Sequence, residues 1–303
     1  MSRFHDNRLR YLAEAIRGGT MRAASENLNV APSSISRQIA QLEEELGVPL
    51  IERNRSPLKL TEAGKMALSY YREFTTQQEA FISQVRDLKG LKAGEVSLAV
   101  GEAMIGDLLL NVLERFMAQY PDIRIHIRSG GTLDVVGMVL EDEAHMGMVF
   151  QPQPEAKIRV RASSDQPLKA IVSPAHPFSK RSGVTFQDIA NERLALPEEQ
   201  FRICQVIYAA SSSEHVFLKP VLVSNSLRVL KEFARSGSGI AILPGIAAHT
   251  EVAAGILNAV PIDHPVMLHT SASVITRLGR QLPVSAVRLL QKIEATMPFF
   301  PAT

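Results

Sequence analysis

Through the first sixty residues, apolar side chains recur at the three- and four-residue spacing of helices that pack on one face. Leu9, Leu12, Ala13 and Ile16 form one stripe, which Gly18-Gly19 ends. Thr20 is placed to cap a second helix, Met21 to Leu28, and Asn29-Val30 leaves room only for a sharp corner. A third helix opens at Pro32, where the missing N–H costs nothing, and runs to Leu46 before Gly47. Ile35, Ile39, Leu42 and Leu46 are its predicted buried face, and the opposite face is polar. Leu50 to Arg53, a loop at 54–57, and Leu58 to Leu60 read as a two-stranded wing.

From Thr61, a second predicted N-cap, the chain lacks glycine between Lys65 and Lys89, and Ala67, Tyr70, Phe74, Gln77, Phe81, Gln84 and Leu88 repeat like the seam of a coiled coil. Two glutamines in that seam favour a paired helix over one buried in its own domain, and they predict a homodimer. Gly90 to Gly94 reads as a hinge, after which the period changes. Val96, Leu98 and Val100 alternate as a strand, Leu108 to Met117 is helical, and Ile123, Ile125 and Ile127 alternate as a second strand. A helix from Leu133 to about Asp142 and a strand at Met146 to Phe150 complete a βαβαβ run, which implies an α/β sheet covered on both faces. A comparable set recurs between Lys169 and Pro244. A strand near Val266 to Thr270 and a helix near Val284 to Thr296 are left over.

The length of 303 residues suits two or three domains, and a hydrophobic fraction of 46% with 21% charged residues excludes a disordered or fibrous chain. No apolar run reaches the roughly 20 residues of a membrane span. Glu14 and Arg17 interrupt any signal-peptide core, and the single cysteine, Cys204, cannot form an internal disulfide; both point to the cytoplasm. Cut at Gly94, the chain has 14 Lys+Arg and 11 Asp+Glu before the cut (+3) against 19 and 20 after it (−1). That asymmetry fits an anionic partner for the N-terminal part.

The exposed face of the third helix carries Ser33, Ser34, Ser36, Arg37, Gln38 and Gln41, donors and acceptors suited to base edges and phosphates in a major groove, with no carboxylate before Glu43. Thr20, Arg22 and Pro32 flank it, and Arg53, Arg55 and Lys59 place positive charge on the wing. Here the sequence resembles the LysR-type transcriptional regulators, through Ala23-Ala24 with Leu28, Ser33 to Ile39, Leu42-Glu43, Leu46-Gly47, Leu50 with Arg53, and Leu60 to Gly64. Leu12, Met21 and Ile51 depart from the usual aromatic or Leu-Phe pattern and stay apolar. Phe116 with Tyr120-Pro121, and Phe233 to Pro244, extend the resemblance towards the C-terminus.

The resemblance implies an α/β chain overall: an all-α winged helix-turn-helix domain over 1–60, a linker and dimerisation helix over 61–90, and a two-lobed effector domain over 95–303 similar to periplasmic binding proteins. Lobe I would take about 95–165 and 266–303, lobe II about 166–265. It implies double-stranded DNA, a small-molecule effector and RNA polymerase as partners, a homodimer or homotetramer, and no cofactor, metal or membrane. It places the effector among Glu102, Ala103, Met104, Thr132, Phe150, Gln151, Val172, Pro197, Phe201, Ser224, Asn225 and Ser226. Thr132 and Ser226 are also expected to cap helices. Glu102 stands where many relatives have serine or threonine, which suggests a neutral-polar or cationic effector rather than a simple dicarboxylate; its alternative role is to complement the helix that follows it.

Other chemistry has little to stand on. Gly237-Ser-Gly239 lacks the third glycine of a dinucleotide loop, with Ile242 in its place. Neither a GxSxG elbow nor an HExxH pair occurs, so an enzyme is not expected. A solute-binding protein would need only residues 95–303, and a redox sensor would need Cys204 to be reactive, which Arg202 nearby could promote.

Overall fold

A computed structural model describes residues 7–52, 57–88 and 93–297 and divides into two compact units, one ending at Glu79 and the other beginning at Ala80. In the N-terminal unit, α1 (Asn7–Arg17), α2 (Met21–Leu28) and α3 (Pro32–Leu46) follow the hydrophobic stripes. The Thr20 hydroxyl accepts from Ala23 N–H at 3.1 Å, and Asn29 (φ 54°) and Gly47 (φ 69°) end α2 and α3 in the left-handed conformation. Leu9, Leu12, Ala15, Ala24, Ile35, Ile39, Leu42 and Leu50 form the core, on which Ala67 and Tyr71 of α4 (Glu62–Leu88) also pack. The Glu43 carboxylate accepts from the N–H groups of Leu50 (2.6 Å) and Ile51 (3.1 Å), so α3 holds the entry to the wing. The wing is reduced to an antiparallel bridge between Ile51 and Leu60, with Glu52 N–H donating to Lys59 C=O at 2.8 Å.

The C-terminal unit has two five-stranded sheets. The first contains β1 (Gly94–Val100), β2 (Ile123–Ser129), β3 (Met146–Phe150), β4 (Ile158–Asp165) and the late strand β10 (Ser271–Arg277), in the order β2-β1-β3-β10-β4. The second contains β5 (Leu168–Val172), β6 (Leu194–Pro197), β7 (Leu222–Ser224), β8 (Ile240–Pro244) and β9 (Asn258–Pro261), in the order β7-β6-β8-β5-β9. β1 runs parallel to β2 and β3, and β6 parallel to β7 and β8, whereas β10, β4, β5 and β9 pair antiparallel. The sheets are therefore mixed, because strands entering from the connections between lobes run against the βαβ units.

Helices cover these sheets: α5 (Ile105–Leu108), a π-helical turn at Leu109–Leu113 and α6 (Glu114–Gln119), then α7 (Thr132–Leu140), α8 (Phe186–Ala190), α9 (Arg202–Ser213), α10 (Leu227–Arg235), α11 (His249–Ala253), α12 (Pro265–Leu268) and α13 (Val284–Thr296). One core lies between the first sheet and α5, α6 and α13 and another between the second sheet and α8 and α9; smaller apolar clusters lie under α7 on the first sheet and under α10 on the second. The end of α4 joins α13, where Val284 N–H donates to Ser83 Oγ (2.9 Å) and Arg288 pairs with Asp87 (2.6 Å).

The expected strand at Val266 to Thr270 is corrected to α12. Pro265 takes the first helical position and the His264 ring accepts from Val266 N–H (3.1 Å), which starts a turn of helix and moves the strand on to Ser271. Two connections cross between the lobes, β4 to β5 and β9 to β10. They are tied together where Gln166 N–H donates to Thr270 C=O (2.8 Å) and Thr270 Oγ1 donates back to Gln166 C=O (2.6 Å), both residues fully buried.

Candidate functional site

In the N-terminal unit, α3 begins at Ala31-Pro32 without a side-chain cap, and its exposed face carries Pro32, Ser33, Ser36, Arg37 and Gln41, with Ser34 and Gln38 half-buried. Thr20 is exposed and engaged in capping α2; Arg22 is exposed and pairs with Glu26 at 3.6 Å. Lys59 is exposed on the wing strand, while Arg53 and Arg55 lie outside the described residues. An uncapped helix N-terminus followed by hydroxyl, guanidinium and amide groups suits phosphates and base edges.

Along α4, Tyr70, Gln77, Phe81 and Leu88 are exposed, Phe74 is half-buried and Ala67 faces the N-terminal core. Sequence reading missed Met66, Ile82 and Val85, which are also exposed. Phe81 (64% exposed) and Leu88 (87%) give this helix an apolar strip that nothing within the chain covers among the described residues.

In the C-terminal unit, a cavity of about 340 Å³ lies between the ends of β1, β2, β3 and β6 and the starts of α7, α9 and α10. Of the residues expected from the sequence, it brings together Glu102, Ala103, Met104, Thr132, Phe150, Pro197, Phe201 and Asn225. Gln151, Val172, Ser224 and Ser226 do not line it. Val172 is buried in the lobe II core. Gln151, held in the left-handed conformation (φ 45°), turns its amide oxygen to Ser271 N–H (3.0 Å), and Ser224 Oγ accepts from Ser226 N–H (3.2 Å).

The capping roles differ from those expected. Thr132 Oγ1 donates to Phe150 C=O (2.8 Å), and Ser226 makes no side-chain cap bond. Asp134 accepts from Gly131 N–H (3.0 Å) at the start of α7. Glu102 stands in the first turn of the helical segment that follows β1, and it also accepts from Leu227 N–H of α10 on the other lobe at 3.2 Å. Asp134, Arg202, Gln200, Ile203, Leu227 and Ser129 also line the cavity and were missed. Asp134 was findable as the acidic residue of a helix first turn; Arg202 opens α9, and its Nε reaches across to Gln151 C=O at 3.1 Å, a contact that no local spacing encodes.

Buried Asp107, on α5, faces His249 at 3.4 Å and accepts from Asn111 (3.2 Å). Burial raises its pKa, and His249 and Asn111 oppose that rise.

Two family models match, the bacterial regulatory helix-turn-helix of the lysR family over residues 7–65 and the LysR substrate binding domain over residues 89–298. The chain belongs to the LysR family of transcriptional regulators. Among similar proteins, a probable RuBisCO transcriptional regulator of Trichormus variabilis is 24% identical over 270 residues, covering 87% of this chain and 80% of that one. The transcriptional activator CmpR of Synechocystis is 25% identical, covering 93% and 92%. A single-residue variant of full-length OxyR from Pseudomonas aeruginosa has a similar fold (TM-score 0.70, 18% identity, 98% and 95% covered), as has full-length CbnR complexed with its target DNA (TM-score 0.58, 20% identity, 97% and 100% covered).

For this LysR-family chain the remaining motifs have structural roles. Gly237 ends α10 at φ 73°, and a Cβ on Gly239 would meet Arg193 C=O at 2.1 Å. Cys204 is fully buried in the lobe II core; burial, with a smaller effect of Glu199, pushes its thiol up to about 11, opposite to what a reactive thiolate requires. No described helix is long and apolar enough to cross a membrane.

Proposed function

We propose that this regulator binds DNA as a dimer, with α3 in the major groove and the wing on the phosphate backbone, and that a small molecule in the cavity between the lobes modulates that binding. The supporting observation is the exposed face of α3, which offers Ser33, Ser36, Arg37 and Gln41 with no carboxylate before Glu43, itself turned inward to the wing. The apolar strip on α4 supports pairing of two chains through residues 62–88, and two dimers would meet the geometry of an interrupted inverted repeat. In this reading residues 1–60 read DNA, 61–90 dimerise and 95–303 sense the effector. The bound complex acts on RNA polymerase in the cytoplasm.

A titration of the full-length protein with DNA from upstream of its own gene, at fixed salt, tests the reading. Specific binding that exceeds binding to unrelated DNA by roughly 10³-fold or more is the expected result. Equal affinity for both would remove sequence reading from α3.

A further inference from the structure

Glu102 occupies an unusual place. It follows β1 in lobe I, yet its Oε2 accepts from the N–H of Leu227, the first residue of the nine-residue helix α10 in lobe II. Ser226, at the N-cap position, makes no side-chain cap bond, so a carboxylate 125 residues away in sequence caps this helix. The positive end of α10 attracts negative charge, and here the chain supplies that charge itself.

Two cavities meet on this residue. The larger, of about 340 Å³, and a second of about 230 Å³ beyond it share Glu102, Ala103 and Leu227 in their walls. On the larger cavity the other carboxylate, Asp134, caps α7 through Gly131 N–H. Among the described residues its one cationic lining side chain is Arg202, whose Nε is directed to Gln151 C=O. The lining therefore holds two carboxylates against one guanidinium, and each carboxylate takes one N–H at a helix start, Glu102 that of Leu227 in α10 and Asp134 that of Gly131 before α7.

We propose that Glu102 is a specificity-determining residue, whose carboxylate stands in for that of a ligand at the start of α10. The cavity consequently discriminates against mono- and dicarboxylates and takes a small ligand that presents an ammonium or other N–H donor to Glu102. A charge-assisted bond to that donor uses lone pairs that Leu227 N–H leaves available. The proposal rests on the reading of this cleft as the effector site.

Calorimetric titration of the full-length protein, as wild type, Glu102→Gln and Glu102→Ser, tests it with succinate and benzoate as carboxylate probes and 1,4-diaminobutane as the cationic probe. Melting curves establish that all three proteins are folded. Glu102→Ser is expected to bind succinate or benzoate at least about tenfold more tightly than wild type, because the Leu227 N–H at the start of α10 is vacated and the repulsion is removed. Glu102→Gln, which keeps an acceptor for Leu227 N–H without the charge, should fall between them and should bind the diamine about tenfold more weakly than wild type. Wild-type protein that binds either carboxylate as tightly as Glu102→Ser, or diamine binding equal in wild type and Glu102→Gln, would overturn the proposal, as would any folded Glu102→Ser protein that gains nothing. These titrations contain no DNA. Failure of the regulator reading would appear separately, in the upstream-DNA titration.

Discussion

In the N-terminal unit, the side chains proposed to meet DNA come mainly from one stretch, Thr20 to Gln41, on two adjoining helices. The cleft of the C-terminal unit instead draws its lining from seven element ends spread between Gly101 and Leu227. On α3 the same three- and four-residue repeat that buries Ile35, Ile39 and Leu42 leaves Ser33, Arg37 and Gln41 outward, so core and surface are one pattern. In the cleft, neighbours are set by strand order and by which lobe approaches which. A residue there acquires its role from a partner more than a hundred positions away, as Glu102 does from Leu227. Surface substitutions in the first region should therefore act locally on one property, while those in the second should reach across lobes.

The largest expected effect tests whether the N-terminal unit meets DNA in pairs, through the part of α4 that lies beyond Glu79. Phe81→Glu combined with Leu88→Glu puts charge on the exposed strip of α4 and should give monomers whose operator affinity falls about a hundredfold or more, because each half-site then binds alone. Sedimentation showing an intact dimer would break that part of the comparison. Next in size, Arg37→Ala should weaken specific DNA binding by roughly 1–3 kcal/mol with an unchanged melting temperature. Lys59→Ala should instead weaken all sequences alike and reduce the salt slope by about one, which anisotropy titrations at several salt concentrations would separate.

In the cleft, Thr132→Val deletes the hydroxyl that donates to Phe150 C=O and should cost about 1 kcal/mol in denaturant unfolding of the C-terminal unit, with DNA affinity retained. The smallest effect concerns Asp107. Its pKa is raised by burial, so the folded chain holds that proton to higher pH than the unfolded chain does. The contribution of this group to stability is full below its ordinary value of 3.8 and is lost as pH rises through the folded pKa. Asp107→Asn should thus flatten the fall in melting temperature as pH rises from the acid side, by a small margin because His249 offsets part of the burial cost. A steeper fall in the variant would reverse the assignment.

The sequence foretold what repeats locally. Helices α1 to α3, the Thr20 cap, the turn at Gly47 and the alternation of β1 and β2 were all legible, because each depends on residues a few positions apart. The last strand was misplaced because Val266-Met-Leu268 is apolar enough for either state, and Pro265 with the His264 cap decides for helix. Eight of the twelve cleft residues expected from the sequence line the cavity. The other four lie off it for reasons of direction: Val172 points into the core, Gln151 turns to β10, and Ser226 N–H bonds to Ser224 Oγ. Arg202 and Leu227 were invisible, since their relevance begins only when the two lobes face each other.

The pairing of Gln166 with Thr270 has a mechanical consequence. Two separate connections between lobes could shear, letting one lobe slide along the other. Stitched together at one point, with the Gln166 side-chain oxygen also accepting from Ile246 N–H of lobe II (3.3 Å), they behave as a single flexure whose easy motion is rotation. A ligand that shifts the mouth of the cleft therefore has its displacement turned into an angle, and an angle grows into distance along whatever the lobes hold farther out.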